Sequence, residues 1–120
     1  MTHAHELTGP FHPGSMVLVS LGSPREKFWG AILAVSAAGL SLRGIELASF
    51  EDCVSMVKAG EPMSNATVFF PMHRVERMEL DTPGAAIPSL SDRFTSLTGV
   101  NPRVVLMQAS SEESTGARTA

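Results

Sequence analysis

The chain has 120 residues, is 43% hydrophobic and 18% charged, and carries a formal net charge of -3. That profile suits one globular domain with a modest core and excludes a chain disordered as a whole. The basic residues are scattered instead of forming the stripe that marks nonspecific nucleic-acid binding.

Residues 1–15 mix His, Gly, Pro and small polar groups and read as a flexible arm. In "MVLVSL" the residues Val17, Val19 and Leu21 share one face, which predicts a half-buried strand. "GSPREK" is a turn by its Gly, Pro and charges. "FWGAILAVS", Phe28 to Ser36, is apolar on both faces, with turn signals on either side. It reads as a long, bent central strand, with Gly30 as the bend or close-approach point. "SAAG" makes the next turn. In "LSLRGIEL" the alternation slips, because Leu40 and Leu42 are out of phase with Ile45 and Leu47. A bulge near Gly44 would bring all four to one core.

The clearest helix is predicted over 49–60. Ser49 and Asp52 have the spacing of a capping box, Glu51 and Asp52 suit the helix N-terminus, and Gly60 followed by Pro62 ends it. "ATVFF" returns to strand character, and after Pro71 a short turn leads into "VERMEL" as a last strand. Val75, Met78 and Leu80 are spaced three and then two, as expected of a helical turn giving way to a strand. Pro83, Gly84 and Pro88 mark a linker. Ser89 with Asp92 repeats the capping pattern ahead of a helix carrying Leu90, Phe94 and Leu97 and ended by Gly99. "PRVVLMQA" opens a further short helix at Pro102. The organisation expected is thus an arm over 1–15, a β-domain over 16–81, a helical appendage over 82–109 and a disordered tail over 110–120.

Five short strands, with a long bent second and a tight turn between the last two, follow the order of small SH3-like β-barrels. Over residues 16–81 the chain resembles the Sm-like family. Gly30 falls where those proteins carry the glycine of their first motif, and "VFFPMHRVERMEL" is similar in place to their second. The resemblance implies a mainly β fold with added helices: a five-stranded Sm-like barrel, a helix inserted between the third and fourth strands, and short C-terminal helices. It also implies edge-to-edge assembly and RNA binding. Three features depart from the family pattern: the loop after the second strand is "SAAG", His73-Arg74 stands where the family has Arg-Gly or Lys-His, and no helix is expected ahead of the first strand, where Sm-like domains usually have one.

The densest charge cluster runs through His73, Arg74, Glu76, Arg77, Glu79 and Asp81. A reactive reading makes His73 a base or metal ligand, with the arginines holding an anion. The simpler reading is a charged outer face with opposite charges pairing along the strand. The binding residues named by the sequence are His73, Arg74, Arg77, Arg43 and Arg25. His3, His5 and His12 read as part of the arm instead of a metal site.

Cys53 is the only cysteine, so no intramolecular disulfide and no Cys-rich zinc site can form. It lies on the apolar stripe of its helix and reads as buried and structural. No catalytic motif, cofactor motif or metal-ligand spacing stands out. The N-terminus lacks the regions of a signal peptide and no apolar run approaches the ~20 residues of a spanning helix, which predicts a cytoplasmic protein with no membrane partner. The function expected is a non-catalytic binding or assembly module, with regulation as one role it could serve. A protein partner or self-association is favoured over nucleic acid. The rivals are RNA binding through Arg74, Arg77, Arg43 and Arg25, and a small enzyme or metal-binding domain centred on His73.

Overall fold

The computed structural model of the protein describes residues 9–108. Five antiparallel strands, β1 (Met16–Leu21), β2 (Glu26–Val35), β3 (Gly39–Glu46), β4 (Ala66–Pro71) and β5 (Val75–Leu80), form one sheet in the order β4-β3-β2-β1-β5. Helix α1 (Phe50–Lys58) is inserted between β3 and β4, and α2 (Leu90–Thr98) follows β5. Residues 102–108 are again helical. The fold is mainly β with added helices, as the pattern predicts. The sheet, however, is open and not a closed barrel: β4 and β5 are its two edges, joined by a 3-10 turn over Met72–Arg74.

Each face of the sheet has its own core. One collects Val17, Val19 and Leu21 of β1, Ile32 of β2, Leu40 and Leu42 of β3 and Phe70 of β4, with Val75, Met78 and Leu80 of β5 packed against them. Both edge strands therefore curl onto a single cluster without hydrogen-bonding to each other. The other core centres on Trp29, with Ile45 of β3, Phe50, Cys53 and Val54 of α1 and Phe94 of α2. The helices bury the outer face of the sheet's central strands, which is why those strands are apolar on both sides.

This division explains the phase slip in β3. No bulge occurs at Gly44, whose pairing with Gly30 and with Ala66 continues the regular ladders on both sides. Leu40 and Leu42 serve the first core while Ile45 and Leu47 serve the second. The register shift in this hairpin lies instead on β2, between Ile32 and Ala34. A second shift, between Ser20 and Leu21 against β5, pairs Leu21 with Val75 and Ser20 with Arg77 and leaves Glu76 as the extra residue. A helical turn over Met72–Arg74 does run into β5, but Val75, Met78 and Leu80 all lie within the strand, where the bulge sets their three-then-two spacing.

Gly30 and Gly44 face each other across β2 and β3. A Cβ on Gly30 would lie 2.8 Å from Gly44 Cα, and one on Gly44 would lie 2.6 Å from Gly30 Cα. No side chain fits at either position without parting the strands, as the close-approach reading of Gly30 anticipates.

Helix ends follow local chemistry, with one exception. Ser49 makes no side-chain cap to α1, because a 3-10 turn over Leu47–Ser49 leads directly into the helix. At its other end Gly60, at φ +91°, allows the Gly60 and Glu61 amides to donate to Val57 and Met56, a Schellman closure. Ser89 does cap α2, its hydroxyl accepting from Asp92 N at 2.9 Å, and Gly99 ends that helix at φ +76°. Phe94 is fully buried, whereas Leu97 is exposed. Residues 9–15, expected to be part of a flexible arm, are docked: Gly14 N donates to Ile32 O at 2.8 Å and Phe11 packs on the first core. His3, His5 and the tail over 110–120 lie outside the described residues.

Asp81, just past β5, ties these parts together. Its carboxylate accepts from Trp29 Nε1 at 2.9 Å, Leu90 N at 2.9 Å, Ser91 N at 2.8 Å and Ser91 Oγ at 2.6 Å. Two of these donors are backbone amides at the start of α2, where a negative charge also meets the positive end of the helix. Asp81→Ala strands the indole N–H of a fully buried tryptophan and the amides. It is expected to lower stability by about 3 kcal/mol. Urea unfolding followed by Trp29 fluorescence measures this loss, with Asp81→Asn, which retains one accepting oxygen, falling between the variant and the parent protein.

Candidate functional site

The turn between β4 and β5 carries His73 and Arg74. Arg74 points back across the molecule and holds the β1–β2 turn. Its Nε donates to Gly22 O at 3.0 Å, and one terminal nitrogen donates to Pro24 O at 2.7 Å and Glu26 Oε1 at 3.1 Å. The Gly22 amide returns a hydrogen bond to Arg74 O at 2.9 Å. A planar guanidinium suits this set of acceptors because its donors point in fixed, divergent directions. Arg74 is thus committed to holding two turns together. His73 is exposed beside it, and its side chain has no hydrogen bond or ion pair among the described residues.

The remaining residues named from sequence divide. Arg25 and Arg77 line one shallow hollow, together with Ser20, Lys27, Glu26 and Glu76. Arg77 also pairs with Glu79 at 3.1 Å, both side chains well exposed, a contact worth little in water. Arg43 sits apart, on β3, with 3% of its surface exposed. The structure therefore brings Arg25 and Arg77 together with Lys27, uses Arg74 in the fold, and buries Arg43.

Two surface features stand out in their place. Edge strand β4 has no strand neighbour beyond β3 among the described residues, and it exposes Phe69 at 55%. Beside it, a groove of about 600 Å³ opens between α1, the ends of β2 and β3, and residues 64–66. Its residues are far apart in sequence, and only the fold assembles them. Cys53 lies in its wall, 4% exposed. Burial pushes the thiol's pKa up, and hydrogen bonding with the Ser64 backbone opposes this only in part. The thiol therefore stays protonated at neutral pH, as expected of a buried structural cysteine.

No family model matches the chain, and no curated protein or solved structure matches it.

Arg74 supplies the test of the division above. Arg74→Ala removes three hydrogen bonds, one of them charge to charge, and is expected to cost about 2–3 kcal/mol. Arg74→Lys is expected to recover less than half of this, because an ammonium cannot span the same acceptors. Thermal unfolding of the two variants, compared with exposed His73→Ala as a near-neutral control, reads the difference.

Proposed function

We propose that the chain is a non-catalytic binding or assembly module. On this reading the sheet is an unclosed relative of the SH3-like barrels, similar in strand order to the Sm-like proteins, and its β4 edge receives a strand from a protein partner or a second copy. The observation that carries this is the edge itself. Strand β4 has a free side and a large exposed aromatic, Phe69; it carries no charge, and its one proline, Pro71, stands at its last position, so most of the edge lacks the protection an isolated protein would normally give it. Adding a strand there satisfies the backbone groups on the free side and removes Phe69 from water.

The experiment is light scattering over a range of concentrations. The expected outcome is a concentration-dependent mass above the monomer that collapses to the monomer in Phe69→Lys, with the fold unchanged by circular dichroism. A parent protein that stays monomeric throughout removes self-association and leaves a different protein strand as the occupant.

The hollow shared by Arg25, Lys27 and Arg77 favours a second reading, RNA binding. Glu26 and Glu76 line the same hollow and weaken its attraction for phosphate. Binding to a short single-stranded RNA, measured against salt, separates the two readings. Phosphate contact gives an affinity that falls steeply with salt, with a slope reduced by about 0.7 per charge lost in Arg25→Ala or Arg77→Ala. No binding at low salt removes the RNA reading.

A further inference from the structure

We infer that the groove beside α1 is a binding site for a small organic cation, an amine with a compact apolar body. The inference is independent of the edge-strand reading. The groove's volume, about 600 Å³, falls within the ~300–1,000 Å³ of sites that hold small molecules. Its apolar surface comes from Phe28, Ile45, Met56 and Val68, contributed by β2, β3, α1 and β4 in turn. Three carboxylates line it as well, Glu26, Glu46 and Asp52, and no Lys, Arg or His does.

The charges are unevenly committed. Glu26 is paired with Arg74 at 3.1 Å. Glu46 and Asp52 are exposed and have no ion-pair partner among the described residues, though Glu46 also lines a neighbouring hollow with Arg25 and Lys27. Two free carboxylates beside a low-dielectric wall concentrate negative potential in the groove. An anion is repelled there, and a neutral apolar molecule leaves that potential unused. A molecule whose apolar body covers Met56 and Val68 while its ammonium faces Glu46 and Asp52 satisfies both features. The Phe28 ring adds a surface to which a cation is drawn. Polar groups of Ser64 and Asn65 at the wall offer hydrogen-bonding positions for the ammonium protons.

The groove's volume is that of a small-molecule site, and a peptide is the rival occupant that a dipeptide probe tests.

The test uses the full chain and three probes: phenethylammonium, the matched anion 3-phenylpropanoate, and a capped Phe-Lys dipeptide. Methyl NMR of the methionines follows Met56, and calorimetry gives the affinity. The expected result is saturable binding of phenethylammonium in the millimolar range or better, with the Met56 methyl shifted and the anion at least about tenfold weaker, a difference of ~1.4 kcal/mol. Glu46→Gln with Asp52→Asn, both on exposed side chains, is expected to lower the amine's affinity by about tenfold while leaving the melting temperature within a few degrees. Met56→Trp, which narrows the groove beside α1, is expected to weaken binding. No binding of the amine, equal binding of the anion, or binding indifferent to both variants would overturn the assignment. A dipeptide that binds more tightly than the amine would also overturn it, in favour of a peptide ligand.

Discussion

The hydrogen bond from the Trp29 indole to Asp81 joins the middle of β2 to the end of β5 and the start of α2. Trp29 stands at the middle of β2, its ring 5.1 Å from Phe50 and 5.7 Å from Phe94. Asp81 begins where β5 ends, and its carboxylate receives the first amides of α2. A buried indole needs an acceptor, and a helix start needs one too. One carboxylate meets both needs, so the position of α2 against the sheet is set by the same atoms that make the tryptophan tolerable inside. Arg93 reinforces the arrangement from α2, reaching Glu51 of α1 at 2.6 Å and lying over the Phe50 ring.

The two-sided sheet places a geometric demand on its centre. Strands apolar on both faces must be covered on both faces, and a five-stranded sheet supplies only one of those covers by curling. Helices α1 and α2 supply the other. The glycine pair at 30 and 44 sits between the two cores and sets how closely β2 and β3 approach. Arg74 performs a comparable service at the periphery, where it binds the β1–β2 turn to the turn between β4 and β5.

Much of this was legible in the residues. The strands, the inserted helix and the capped α2 follow from alternation, caps and breakers, because each depends on neighbours within a few positions. The assignment of Ile45 to a second core was not legible, since a slip in alternation reads equally as a bulge or as a change of face. Only the packing of α1 and α2 decides between them. The same limit applies to the charges between His73 and Asp81. From sequence they form one cluster, yet Arg74 and Asp81 are spent on contacts about fifty residues back along the chain. Glu46, Asp52 and Met56 carry no joint signal at all, since each is ordinary in its own element and they converge only at the groove.

The placement of β1 has a consequence for how the chain is made. Its hairpin partner β2 follows at once, but its other neighbour is β5, with Val17 opposite Leu80. On a ribosome the first strand and hairpin emerge long before the residues that cover their open flank, and α2 comes later still. The half-made sheet must present Val17, Val19 and Trp29 to its surroundings until β5 and α2 have been made. Non-local pairing of this kind folds slowly and leaves apolar surface open to association while it waits. The native arrangement therefore selects for a nascent chain that stays shielded until α2 has appeared.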